Sequence, residues 1–255
     1  MGTLANFING LLRPAGIELV RLPRRQVMPA ELPDAPLYTG PEDYHRLLRP
    51  WRGAEFARWF TPSVTDNTML SRQKLYFLLR MVQQTLGVPG DLFEAGAGSG
   101  GSGRLMLDVL RGHGSTKSLW LLDTFEGYQK VDPAKDGAHM QVNDCKCRSF
   151  EDVTRLLAND TNAVHLVKGL IPGTLAQVTA PAISFAHIDV NLHEPTKAAL
   201  EFALERLSRG GVIVFDDYNW PATFGARQAI DEVCARHRLP VISLPESTQA
   251  FVVKP

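Results

Sequence analysis

Three aspartates carry the strongest chemical signal in the sequence. Asp189 ends the apolar run in FAHIDVNLHEPT, and Asp216 and Asp217 end the one in GGVIVFDDY. If both runs are strands of one open α/β sheet, their carboxylates converge at the carboxyl edge, where such sheets bind ligands. Like charges gathered there repel one another unless a cation lies among them. Oxygen-only donors suit Mg²⁺, which keeps several waters and takes its remaining contacts from substrate. The competing reading has Asp216 and Asp217 capping the next helix and Asp189 merely solvated. A second signal is FEAGAGSGGSG, residues 93–103, whose Gly96, Gly98, Gly100 and Gly101 satisfy both GxGxG and GxGxxG. Such glycines let a strand turn sharply into a helix whose free N–H groups face a ligand, although a flexible turn without a ligand would show them too. Asp123 closes the run SLWLLD, where a carboxylate can accept both hydroxyls of a ribose.

The elements that must position these groups follow from the pattern. From Asp91, short runs apolar on both faces (LFEAG, SLWLLD, AVHLVKG, ISFAHID, GVIVFDD) alternate with helical stretches, the signature of a parallel sheet covered by helices. The expected class is α/β, doubly wound. The last two strands, in PVISLP and QAFVVKP, are too close together for a crossover helix and predict an antiparallel hairpin. A dinucleotide enzyme has no use for that hairpin, whereas the S-adenosylmethionine-dependent methyltransferase sheet closes with one, and Glu94 stands before the first glycine where such an enzyme also has an acid. Upstream, Leu75, Leu78, Leu79 and Val82 recur at helical spacing behind the candidate caps Thr68 and Ser71. Residues 1–60, rich in Pro and Arg, read as an extension to a domain of residues 61–255.

Composition narrows the partners. The 255 residues carry 27 Lys plus Arg against 27 Asp plus Glu, so no excess positive charge is available for a phosphate backbone. Three cysteines, two of them at Cys145 and Cys147, suit neither a disulfide framework nor a zinc site and point to a reducing compartment. The N-terminal stretch is interrupted by Asn6, Asn9 and Arg13 and reads as neither a signal peptide nor a span. The expectation is a cytoplasmic protein with a small-molecule substrate, no nucleic acid and no membrane.

From Asn67 to Pro255 the sequence resembles the macrocin O-methyltransferase family. The resemblance rests on NTMLSRQKLYFLL, GDLFEAGAGSGGSG, LLDTFEG, LVKGLIPGTL, HIDVNLHEPT and GGVIVFDDY, in that order. It implies a class I methyltransferase that uses S-adenosylmethionine and Mg²⁺ to methylate sugar hydroxyls on antibiotics. Carried over by position, Thr68 and Ser71 belong to a segment folding over the cofactor. Glu94, Gly96 and Ser102 hold its methionine end, Asp123 its ribose, and Ser149 and Phe150 its adenine, with Gly98 also among the cofactor-binding residues. Asp189, Asp216 and Asp217 fall on the metal ligands. The family usually reads HIDGDLYES, whose second Asp is a candidate base. Here that position is Asn191, an amide without useful basicity, and His193, in place of the Tyr, is the nearest alternative. The catalytic expectation therefore falls on Asp189, Asn191 and His193, while His187, inside a strand, reads as a packed core residue.

Three functions stay open from the sequence: a metal-assisted O-methyltransferase of small hydroxylated molecules, a methyltransferase-like protein repurposed for binding or a non-methylating reaction, and an NAD(P)-dependent oxidoreductase. Tyr38, Tyr44, Trp51, Trp59, Phe60 and Trp220 either line an acceptor pocket or form the core that docks the extension. The extension is expected to serve as a lid or as an arm of a homo-oligomer.

Overall fold

A computed structural model describes residues 49–158 and 163–255. Most of the proposed extension, Tyr38 and Tyr44 included, lies outside the described residues. Two short helices, α1 (Ala54–Ala57) and α2 (Pro62–Thr65), precede α3 (Arg72–Gln84). Alternating elements follow: β1 (Asp91–Ala95), α4 (Gly101–Gly112), β2 (Leu119–Asp123), α5 (Pro133–Asp136), α6 (Phe150–Leu157), β3 (Val164–Lys168), β4 (Ile183–Ile188), α7 (His193–Arg206), β5 (Leu207–Phe215) and α8 (Phe224–His237). β6 (Ile242–Ser243) and β7 (Ala250–Val253) end the chain.

The seven strands lie in the order β3-β2-β1-β4-β5-β7-β6. β1 through β5 pair in parallel, and the sheet closes with β7 antiparallel to both β5 and β6, as the short connection requires. The order reverses between β1 and β4, which places the ligand crevice at the carboxyl ends of those two strands.

Both faces of the sheet are covered, so its runs read as continuously apolar. Leu92, Leu119, Leu121, Phe185, Val212 and Val214 face one core with the α3 residues Leu75, Leu78, Leu79 and Val82. Phe93, Ala95, Trp120, Leu122, Ala186, Ile213 and Phe215 face the other, with Ala199, Leu200 and Ala203 of α7 and Ile230 and Val233 of α8. Trp59 and Phe60 are buried in the first core, and Trp51 packs at its edge, so residues 51–60 belong to the packing of the sheet domain. Trp59 stacks on His113 with ring centroids 5.9 Å apart.

Candidate active site

Strand alternation sets the charges of the site. In register, Glu94 on β1 pairs with His187 on β4 and His187 with Val214 on β5, so Glu94 and His187 share the α3/α4 face with Leu92 and Phe185. Asp216, two residues beyond Val214, continues the same face. His187 Nδ1 lies 2.7 Å from Glu94 Oε1, both side chains fully enclosed. On the other side of the ring, Nε2 stands 4.0 Å from Asp216 Oδ1 and has no hydrogen-bond partner. Burial opposes charge on the imidazole, but Asp216 and Glu94 outweigh it and push the pKa up to about 10. His187 is thus buried, as expected, but as a cation between two carboxylates.

Asp216 is the hub. Lys74 Nζ donates to Oδ2 at 2.5 Å and Gln249 Nε2 to Oδ1 at 3.0 Å, while Thr248 Oγ1 donates to its backbone carbonyl at 2.8 Å. Burial alone would raise its carboxyl, yet His187 and Lys74 hold it below the usual carboxylate range. The helix-capping alternative does not describe these aspartates: α8 begins at Phe224, behind Thr223 and a short 3₁₀ turn. Asp189 is pushed well above the ordinary range by burial and by the negative charges of Asp216 and Asp217. Asp217, within hydrogen-bonding reach of Asp189, is raised to about 6 by burial and by Asp216.

One donor atom from each of His187, Asp189 and Asp216 falls within 4.8 Å of the others. With His187 charged and bound to Glu94, the oxygens of Asp189, Asp216 and Asp217 remain as donors for a hard divalent cation. The raised carboxyls of Asp189 and Asp217 mark negative charge that the chain's own cations leave incompletely balanced, and the residues present therefore fit such an ion.

The glycine loop adjoins this group. Gly96 has φ +94°, and a Cβ there would lie 1.9 Å from the carbonyl oxygen of Asp189, so only glycine lets the β1 turn pass so close to the β4 end. Gly98 N–H donates to Asp123 Oδ2 and Phe125 N–H to Oδ1, at 2.8 and 2.7 Å, which fixes the carboxylate against the loop with lone pairs to spare. Gly101 N–H donates to Asn67 O at 2.8 Å, tying the segment before α3 to the first turn of α4.

The other expected residues are placed as follows. Ser102 is buried in the first turn of α4. Ser71 Oγ caps α3 through Lys74 N–H, and Thr68 Oγ1 accepts from Leu70 N–H beside the loop-contacting Asn67. Ser149 caps α6 through Asp152 N–H, and Phe150 packs edge-on to Phe125, near Asp123. Glu94, expected at the methionine end of the cofactor, is closed off from solvent, its Oε1 on His187 and its Oε2 without a hydrogen-bond partner.

His193 departs from its expected role. Asn191 has φ +60°, and α7 begins two residues later, carrying the His193 ring away toward α8. The ring is buried with Nε2 3.7 Å from Glu232 and Nδ1 3.4 Å from Glu194, while its backbone N–H donates to Asp136 at 2.7 Å. No ion pair or hydrogen bond of the ring reaches the three aspartates among the described residues.

Asn191 instead meets Tyr128, which sequence reasoning missed. Its side chain lies near enough to the phenol to act on its ionisation, and Cys145 Sγ lies 3.1 Å from the phenol oxygen. Burial, Cys145 and the charge of Asp217 push the Tyr128 phenol far above its ordinary value, so it stays a proton donor. Asp136 was also missed: its buried carboxylate accepts the first N–H of α7, a cap supplied by a separate element.

Comparison with known proteins settles the family. The macrocin O-methyltransferase (TylF) family matches residues 53–243. The chain belongs to this family. It is 32% identical over 226 residues to the 8-demethyl-8-(2,3-dimethoxy-alpha-L-rhamnosyl)-tetracenomycin-C 4'-O-methyltransferase of Streptomyces olivaceus, covering 80% of this chain and 79% of that one. It is 28% identical over 183 residues to the demethyldecarbamoylnovobiocin O-methyltransferase of Streptomyces niveus, covering 67% and 68%. Among solved structures, the O-methyltransferase NovP superposes with a TM-score of 0.67 at 26% identity over 74% of this chain and 82% of that one. The calicheamicin methyltransferase CalS11 shares the fold, with a TM-score of 0.63 at 22% identity over 84% and 93%. This macrocin O-methyltransferase family member is therefore an O-methyltransferase with the class I fold, which displaces the oxidoreductase and non-methylating readings.

Proposed function

We propose that the protein transfers the methyl group of S-adenosylmethionine to a hydroxyl of a sugar carried on a natural product, assisted by Mg²⁺. The observation that carries this reading is the convergence of Asp189, Asp216 and Asp217 beside the Gly96–Gly101 loop, with the Asp189 carbonyl in contact range of Gly96. The names of the relatives, a rhamnosyl-tetracenomycin and a novobiocin-type methyltransferase, support the sugar and natural-product context.

In this reading Glu94, Gly96, Gly98 and Ser102 serve the methionine end of the cofactor, Asp123 the ribose, and Ser149 and Phe150 the adenine. The segment of Thr68 and Ser71 is held over the loop through Asn67. Asp189, Asp216 and Asp217 would hold the metal, which would supply Lewis acidity to lower the pKa of an acceptor hydroxyl. Asn191 and Tyr128 orient the acceptor by hydrogen bonds, since neither is a base at neutral pH. Methyl transfer is then chiefly a matter of aligning two reactants, the step that rigid sheet-edge groups favour. His193 is a packing residue of the α7/α8 pair. We expect a cytoplasmic homo-oligomer with no nucleic-acid or membrane partner; among the described residues no helix is long and apolar enough to cross a membrane.

The test incubates the enzyme with S-adenosylmethionine, Mg²⁺ and a panel of O-demethylated glycosides, beginning with rhamnosylated tetracenomycin, and reads S-adenosylhomocysteine release by mass spectrometry. Acceptor-dependent release that EDTA and Asp217→Ala abolish supports the proposal. Release indifferent to EDTA contradicts the metal, and failure to bind either S-adenosylmethionine or S-adenosylhomocysteine contradicts the cofactor.

A further inference from the structure

Among the described residues Lys74 is the one lysine or arginine paired with the aspartate group, through Asp216. It stands in the first turn of α3, four residues before Leu78 and on the side of the helix that faces the sheet, where a charged residue is exceptional. Its Nζ lies 2.5 Å from Asp216 Oδ2, and Asp217 and Asp189 are near enough to act on its charge. Asp216 does not need Lys74 for orientation, because Gln249 holds its other oxygen and Thr248 and Ile188 fix its backbone. What the ammonium adds is charge. No ion pair within 4.0 Å reaches Asp189 or Asp217 among the described residues, so Lys74 is the cation that offsets the cluster from the α3 side.

We infer that Lys74 is an internal counter-cation of the acidic centre, bound to Asp216 in the ion-free enzyme and displaced from it when a divalent cation enters, so that it sets the metal affinity of the site. This inference rests on the metal-assisted reading above. The physical basis is Coulombic: a unit positive charge a few ångströms from a doubly charged ion opposes its binding strongly in a partly desolvated site. It also couples the centre to the cofactor region, since Ser71 caps the turn that carries Lys74, and Asn67 of the same segment holds Gly101 of the glycine loop. Lys74 is a positioning residue and touches no reacting atom.

The experiment titrates Mn²⁺ into the full-length enzyme, wild type, Lys74→Met and Lys74→Arg, at fixed ionic strength, with free Mn²⁺ read by electron paramagnetic resonance. Loss of the charge should tighten Mn²⁺ binding by about tenfold or more. Lys74→Arg, which keeps the charge, should stay near wild type. Equal or weaker binding by Lys74→Met, with wild type binding normally, overturns the role of Lys74 and leaves the metal reading intact. A wild type that binds no Mn²⁺ overturns the metal reading and this inference with it. A second measurement needs no variant: acetylation of wild type by acetic anhydride, with each lysine followed by peptide mass spectrometry. Saturating Mn²⁺ should raise the acetylation rate of Lys74 several-fold while leaving that of the distant Lys254 unchanged. An unchanged rate at Lys74, with Mn²⁺ shown to be bound, overturns the displacement.

Discussion

Substituting Gly96 by alanine should damage stability and site together. Its φ of +94° lies in a region where an L-residue costs roughly 1–2 kcal/mol. The new Cβ would sit 1.9 Å from the Asp189 carbonyl oxygen, so that carbonyl must retreat by more than about 1 Å to reach even the 3.0 Å at which contacts stop being prohibitive. The retreat strains the Asp189 N–H bond to Ala95 O, now 2.8 Å, whose loss in a buried position costs a further 1–3 kcal/mol or so. The sum is about 2–5 kcal/mol, on the order of 10 °C in Tm for a domain of this size. Two other glycines isolate the terms. Gly114 has φ +65° with nothing within 4 Å of a Cβ, so Gly114→Ala reports the conformational cost alone; Gly87 has open space and an ordinary φ, so Gly87→Ala should be neutral or slightly stabilising. Urea unfolding monitored by fluorescence gives the three values, and titration with S-adenosylhomocysteine gives the effect on the cofactor site. A Gly96→Ala protein no less stable than Gly114→Ala, with unchanged cofactor affinity, would refute the close approach of loop and strand end.

Other substitutions separate the roles of neighbouring groups. Glu94→Gln leaves the enclosed His187 cation with one carboxylate fewer and should cost about 3–5 kcal/mol in urea unfolding, whereas Glu94→Leu with His187→Phe, which removes both charges, should recover much of that loss. Trp59→Ala should cost roughly 3–5 kcal/mol because the indole is buried against Gly112 and His113, while Trp220→Ala, at a position 53% exposed, should stay within about 0.5 kcal/mol of wild type. Tyr128→Phe should raise KM for the acceptor and leave S-adenosylhomocysteine binding unchanged in calorimetry; a selective loss of cofactor binding would move Tyr128 to the other half of the site. Asn191→Asp should change the methyl-transfer rate by less than about tenfold, since the amide serves as a hydrogen-bond partner; a larger gain would show that the wild type lacks a base it needs.

The fold was legible because its signals are local. Runs apolar on both faces announced buried parallel strands, the short gap before QAFVVKP required a hairpin, and the α3 stripe Leu75, Leu78, Leu79 and Val82 is the buried stripe observed. The ends of β4 and β5 likewise located the three aspartates. What could not be read was partnership between distant elements. Lys74 reaches Asp216 across 142 residues and Asp136 caps α7 across 57, and no local pattern encodes either contact. Some signals were present but faint. Lys74 lies four residues before Leu78, an unusual place for a charge, and the register of β1 with β4 puts Glu94 and His187 side by side, turning a core histidine into half of an ion pair. His193 shows the converse: it is two residues from Asn191 in sequence, but the positive φ of Asn191 and the start of α7 at His193 carry its ring toward α8.

The proposed chemistry depends on a divalent cation held at the ends of β4 and β5, beside the cofactor loop. The most direct test is the anomalous difference map of a crystal grown with S-adenosylhomocysteine and Mn²⁺. One strong peak coordinated by oxygens of Asp189, Asp216 and Asp217 is expected, with the cofactor lying along Gly96–Gly101. A map showing the cofactor in place but no peak among those aspartates, at millimolar Mn²⁺, would contradict it.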